Sequence, residues 1–196
     1  PAADEHMNQA RIFVLETFFG LFSLALLLRF YLQAVRAPVR NPLSQFIVAL
    51  TNFAVVPARR VVPGLWGYDL SSLLLAWITE AVLITAVMML KGYPIGAAGG
   101  MAIAALCALA ALSLFRTFLY IVMVAVFAQA VLSWIGPQGP ALPLLSALTR
   151  PLTRVFQRRI PPIGGVDLAP LFVLVICQVL LMWPVASMEK FLTRLL

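Results

Sequence analysis

The chain has 196 residues, 63% of them hydrophobic and 11% charged, with a mean hydropathy of +1.01. Soluble domains carry about 25% charged residues, so this composition excludes an ordinary water-soluble globule and points to an integral membrane protein. The formal net charge of +7 sits mostly in two arginine groups beside apolar runs. That pattern suits the anionic headgroups of a cytoplasmic leaflet, and no motif supports nucleic acid as a partner.

The first residues, PAADEHMNQA, have no basic segment before an apolar core and no small-residue cleavage site, so a cleaved signal peptide is not expected. Residues 1–6 read as a tag remnant or an upstream extension, with Met7 the more natural start. Residues 12 to about 32 are apolar except for Glu16, Ser23 and Arg29. About 20 such residues cross a hydrocarbon core as one helix, the first span. Arg36 and Arg40 around Pro38 then mark a helix stop with cationic anchors at a membrane surface.

From Asn41 the pattern turns amphipathic, with Leu43, Phe46, Ile47, Leu50 and Ala54 on one side and Ser44, Gln45, Thr51 and Asn52 on the other. This predicts a helix lying in the interface. Pro57 and Pro63, by removing backbone donors, should break it into short pieces, an elbow carrying Arg59 and Arg60. Asp69 precedes the second span, residues 70–90. It is expected either to cap that helix or to bridge to Arg59 or Arg60 and lock the elbow. Lys91, Gly92 and Pro94 end the span.

The plan of residues 41–72 returns 98 residues later. Pro42 falls on Pro140, Thr51 on Thr149, Pro63 on Pro161, and Gly67, Asp69 and Leu70 on Gly165, Asp167 and Leu168; Arg59 and Arg60 answer Arg158 and Arg159 after a slip of one residue. The chain therefore reads as a tandem duplication: residues 7–91 as the first repeat, 92–116 as an apolar connector and 117–196 as the second repeat. In the second elbow Ser146, Thr149, Arg150, Thr153, Arg154, Gln157 and Arg158 recur at three and four between Leu145, Leu148, Leu152, Val155 and Phe156. Pro151, Pro161 and Pro162 should break it in turn, and Asp167 should cap or lock the last span, residues 168 to about 184.

The run 95–135 is apolar apart from Arg116 and about twice as long as one crossing needs. One crossing gives four spans with both elbows on the same side; two crossings give five, with the elbows on opposite sides. Cationic segments favour the cytoplasm, which favours four. The expected fold class is thus an all-α membrane protein in which each half is a span, a proline and arginine elbow and a second span. The third span should cover about residues 118–135, with an alanine-rich helical extension at 101–111.

Few residues could carry chemistry. Glu80 lies near the middle of the second span, where an ionisable group costs about 2.5 to 3.5 kcal/mol on insertion scales. Its repeat partner is Gln178, and contact between Glu80 and Gln178 or Gln129 is the expected interhelical link. A proton or cation site is the functional alternative. With His6 the one histidine, no metal-ligand cluster and no nucleophile with a matched base, no catalytic residue, no metal and no cofactor is expected. Cys107 and Cys177 stand alone in apolar sequence and read as buried small residues.

The segments LLLRFYLQ at 26–33, NPLSQF at 41–46 and G-x-D-L-S at 67–71, with TRP at 149–151, RRIPP at 158–162 and GGVDLAP at 164–170, resemble the YggT family of bacterial membrane proteins, related to the YlmG proteins of plastids. The likeness spans residues 7–188. Phe53 and Val155 stand where the family pattern has proline. The resemblance implies a multi-pass protein of the bacterial inner membrane with no defined catalytic activity. It also implies links to osmotic stress and potassium uptake, to cell-division gene neighbourhoods, to nucleoid or thylakoid organisation, and to haem attachment to a cytochrome. The leading expectation is an assembly or organising protein whose elbows, with Arg36, Arg40, Arg59, Arg60, Arg150, Arg154, Arg158 and Arg159, bind anionic lipid or a membrane protein partner. A small cation transporter working as a homodimer and a cytochrome-maturation helper are the alternatives.

Overall fold

The computed structural model describes residues 2–38, 41–62, 64, 68–93, 99–135, 141–159 and 167–196. Within them the chain is helical: α1 (Ala2–Ala34), α2 (Pro42–Val61), α3 (Leu70–Leu90), α4 (Gly99–Ile135), α5 (Leu142–Gln157), α6 (Ala169–Leu180), a π-helical turn (Leu181–Val185) and α7 (Ala186–Thr193). Four helical stretches are long and apolar enough to cross a membrane: Glu5–Ala34, Leu70–Leu90, Gly100–Ser133 and Ala169–Thr193. Residues 99–135 of the long apolar run form one continuous helix, so among the described residues there are four candidate spans and not five. At 1.5 Å per residue α4 is about 55 Å long, well beyond one hydrocarbon thickness.

α4 is the central column. In its most apolar stretch 44% of residues are buried inside the protein, against 17–22% in the other three spans. One side packs Leu114, Ile121 and Ala125 against Leu26, Leu27 and Tyr31 of α1, Ala76 of α3 and Leu144 and Leu148 of α5. Its other side packs Leu119, Val122 and Val126 against Val173 and Cys177 of α6 and Val185. Lipid removes most of the hydrophobic drive between spans, so close packing must hold them. Small residues permit it: Ala76, Ala102, Ala105, Ala110 and Ala125 are all buried.

The helix ends follow local chemistry. Asn41 caps α2, its side chain accepting from the Leu43 amide at 2.9 Å, and Pro42 takes the first position, where no donor is needed. α3 ends in a Schellman motif: Gly92 has φ +79°, its amide bonds Met89 O at 3.1 Å, and the Tyr93 amide bonds Met88 O at 3.1 Å. α1 ends in the same motif, Arg36 N to Gln33 O at 3.1 Å and Ala37 N to Leu32 O at 2.9 Å, but the left-handed position is filled by Arg36 at φ +52°.

Three expectations change. Pro57 and Pro151 lie inside continuous α2 and α5 and do not break them. Each removes one internal hydrogen bond, and both prolines sit on exposed faces, where bending frees a carbonyl outward and not into the core. Pro63, Pro161 and Pro162 lie outside the described residues. The last span does not stop near Pro184, because the π-helical turn contains that proline and the chain continues helically to Thr193. A wider turn accommodates a residue that cannot donate to the carbonyl four back. Lastly, α2 turns its polar side inward: Ser44 and Thr51 are buried beside Ile47 and Val55, while Leu43, Phe46, Leu50 and Phe53 are exposed. A groove of about 730 Å³ between α1 and α2, lined by Phe18, Phe22, Leu50 and Phe53, is apolar, as acyl chains require.

Both elbow helices lie at one end of the bundle. Tyr31, in the last turn of α1, donates to the Leu148 carbonyl of α5 at 2.5 Å, joining the first hairpin to the second elbow. Single cysteines placed by Arg60→Cys and Arg159→Cys, in a background lacking Cys107 and Cys177, should therefore react with an impermeant maleimide from the same side of sealed vesicles. Labelling from opposite sides would refute this topology.

Candidate functional site

Arg29 places a guanidinium inside the bundle, 94% buried, and the first elbow is built around it. Its Nη1 donates to Thr51 Oγ1 at 2.8 Å, Asn52 Oδ1 at 2.9 Å and Val48 O at 3.3 Å, all on α2. Its Nε lies 3.6 Å from Asp69 Oδ2. Asp69 is itself buried; its Oδ2 receives Arg59 Nη2 at 2.6 Å and Ser72 Oγ at 2.6 Å, and its Oδ1 receives Arg59 Nε at 3.3 Å. One carboxylate thus ties α1, α2 and α3 together. Burial alone would raise the Asp69 pKa, but the hydrogen bonds from Arg59 and Ser72 and the charges of Arg59 and Arg29 outweigh it and hold the group below its ordinary value. The same hydrogen bond raises the Arg59 pKa, against a smaller effect of burial.

Asp69 makes no side-chain cap to the backbone of α3; of the two roles expected for it, the structure has the bridge. Asp167 has both. Its Oδ1 accepts from the Ala169 amide at 2.9 Å, a cap, and its Oδ2 accepts from Gln157 Nε2 at 2.7 Å. The residue that meets Asp167 is therefore Gln157 and not Arg158 or Arg159. Gln157 stands 98 residues after Arg59, and Asp167 98 after Asp69, so the ungapped register carries the contact and the slipped arginine pairing does not. An amide in place of a guanidinium leaves the second elbow without a buried ion pair.

This asymmetry frees the arginines of α5. Arg150, Arg154 and Arg158 follow at intervals of four, one face of a helix, and all three, like Arg159, are exposed. Among the described residues none of the four forms an ion pair. α5 packs inward through Leu144, Leu148, Thr149 and Thr153. In the first elbow Arg59 is half exposed but engaged by Asp69, Arg60 and Arg36 are exposed, and Arg40 lies outside the described residues.

The intramembrane polar residues do not meet as expected. Glu80 is buried on α3 and accepts from Ser113 Oγ of α4 at 2.8 Å. Gln178 is exposed on the outer face of α6, so no Glu80–Gln178 link exists. The reason is the central α4, which stands between α3 and α6. Gln129 receives the Thr149 hydroxyl, holding α5 to α4. Glu80 lines a chamber of about 580 Å³ that also meets Glu16, Lys91, Tyr93, Arg116 and Tyr120, with Arg116 bonded to Glu189 at 3.0 Å. Among the described residues no three of His, Cys, Asp and Glu gather where a metal ion could bind.

Sequence reasoning missed the weight of Arg29. The signal was there, an arginine within a span, but nothing in the local pattern named its partners on α2. Ser113, Thr51 and Tyr31 carried no comparable signal, since a hydroxyl in a span usually bonds its own helix.

A family model described as CCB3/YggT matches residues 8–90 and 99–188. The chain is 37% identical to the uncharacterized protein PA0392 of Pseudomonas aeruginosa over 168 residues, 85% of this chain and 83% of that protein. It is 30% identical to YggT of Escherichia coli K12 over 172 residues, covering 86% and 85%. A Vibrio alginolyticus protein named for the proC 3' region is 33% identical over 161 residues, covering 81% and 84%. No solved structure matches the chain.

The two aspartates should differ in consequence. Asp69→Asn leaves Arg29 buried without its carboxylate and should cost about 3 to 5 kcal/mol, whereas Asp167→Asn keeps an acceptor for the Ala169 amide and should cost about 1 kcal/mol or less. Because the folded pKa of Asp69 is depressed, its contribution is complete above the ordinary aspartate pKa of about 3.9 and is lost as pH falls from there through the folded value. Thermal unfolding in neutral detergent across that range should show the decline in wild type and not in Asp69→Asn.

Proposed function

We propose that this chain, which belongs to the CCB3/YggT family, is a non-catalytic organising protein of the bacterial inner membrane. In this reading its second elbow binds the anionic lipid of the cytoplasmic leaflet or an acidic segment of a membrane partner. The carrying observation is the row Arg150, Arg154 and Arg158, exposed on α5 with no acidic partner among the described residues. Each such cation near an anionic surface contributes about 1 kcal/mol and is screened by salt. The two elbows divide the work: the first is welded to the spans by Asp69, and the second rests on α4 and Tyr31 with its charges free.

The triple variant Arg150→Gln, Arg154→Gln, Arg158→Gln should fold as wild type, since these side chains touch solvent. It should lose the salt-sensitive part of the thermal stabilisation that phosphatidylglycerol gives over phosphatidylcholine, the part that in wild type shrinks at high salt. An unchanged salt-sensitive preference in the triple variant would overturn the proposal.

One observation favours a second reading, a small cation transporter. Glu80 is a buried carboxylate near mid-span at the wall of a chamber of about 580 Å³, where an ionisable group is costly to keep without use. On the α1 wall Glu16 and Gly20 share a face with Ser23, whose fully buried hydroxyl lacks a hydrogen-bond partner. If this reading holds, proteoliposomes will conduct a monovalent cation and Glu80→Gln will abolish the flux. Flux that survives Glu80→Gln removes Glu80 from the mechanism, and absence of flux in wild type removes transport.

A further inference from the structure

Between the end of α1, α2 and Tyr68 lies a cavity of about 610 Å³ whose polar wall is Arg29, Gln33, Arg36, Arg59, Ser44 and Tyr68. Three arginines thus line one space, and among the described residues Asp69 is the single carboxylate paired to any of them, to Arg29 and Arg59. Arg29 has Nη1 on three α2 oxygens and Nε facing Asp69, which leaves Nη2 for a ligand. Arg59 gives Nε and Nη2 to Asp69, which leaves Nη1. Arg36 forms no ion pair among the described residues.

The backbone at Arg36 supplies an independent observation. α1 and α3 end in the same Schellman motif, which places one residue in the left-handed region. α3 uses Gly92 there at φ +79°, at no steric cost; α1 uses Arg36 at φ +52°. A bulky side chain in that region is strained, and strain of this kind persists where the side chain's position matters. Arg36 lines the same cavity as Arg29 and Arg59.

We infer that this cavity is a binding site for a single phosphate group, clasped by Arg29, Arg36 and Arg59 with hydroxyls of Ser44 and Tyr68 at its edge. Guanidinium forks match phosphate oxygens in geometry and charge. The phosphate is that of an anionic phospholipid, because apart from Gln33 the rest of the wall, Leu32, Ala34, Ala37 and Val48, is apolar and the site sits at the end of a span, at headgroup depth. This inference rests on the reading of the elbows as lipid-binding, but it differs from the α5 row in kind: one saturable site per chain, against a diffuse, salt-sensitive surface.

Native mass spectrometry and thermal unfolding of the full chain in neutral detergent, titrated with phosphatidylglycerol, phosphatidylcholine or inorganic phosphate, test it. Arg36→Gly is the informative variant, because glycine relieves the strained backbone and should melt no lower than wild type while losing the guanidinium. The expected result is one tight phosphatidylglycerol per chain, weakened about tenfold or more in Arg36→Gly and retained in the α5 triple variant. Retention of that lipid in Arg36→Gly overturns the site. Its loss in the α5 triple variant also overturns it, since the cavity would then have no binding of its own. If inorganic phosphate alone gives the full Arg36-dependent stabilisation, the phosphate chemistry stands and the assignment to lipid is overturned. A cavity site that persists while the α5 variant keeps the full salt-sensitive lipid preference would sink the elbow reading alone.

Discussion

A guanidinium cannot be left bare among hydrocarbon, and the first half of this protein is arranged around that constraint. Arg29 sits where α1 still runs through the bundle, so its charge and donors must be met by protein. Four oxygens meet it: a threonine, an asparagine, a backbone carbonyl and the Asp69 carboxylate. Three of the four come from α2, which explains why that helix turns Ser44 and Thr51 inward and presents Phe46, Leu50 and Phe53 to lipid. Amphipathicity here is reversed relative to a helix lying on a water-soluble core. The polar face looks at the protein because the protein offers the polar partner and the membrane does not.

From that constraint the difference between the two elbows follows. Phe127 stands 98 residues after Arg29, so the second elbow has no buried cation to satisfy, and α5 can pack with leucines inward and arginines outward. Gln157 replaces Arg59 opposite the aspartate, and Asp167 then returns to the simpler task of capping a helix. The same plan is used once as a weld and once as a presented surface. Removing a partner from the weld strands a buried charge, which is costly; removing an arginine from the surface strands nothing.

Between the halves, α4 acts as spacer and scaffold. Its length and alanine content let α1 and α3 approach one side and α6 the other. That placement separates Glu80 from Gln178, residues that occupy equivalent positions in the sequence but opposite sides of a helix in space. Glu80 instead finds Ser113, a residue whose type announces nothing, because a hydroxyl in a span is ordinarily content with its own backbone.

By itself the sequence determined the membrane class and the existence of two arginine elbows, and it favoured four spans over five. These depend on composition, on run length against bilayer thickness, and on periodicity, all of which are local sums over residues. It also determined that Asp69 and Asp167 matter, since an acidic residue before an apolar run has few roles. The tertiary structure decided which role each plays. It decided that Gln157 and not Arg158 meets Asp167, that Arg29 is an organising charge, and that Arg36 spends a strained backbone at a cavity. Those outcomes depend on which helix faces which, and that is set by the packing of α4 and by the need of buried charges for partners, neither of which any single stretch of residues encodes.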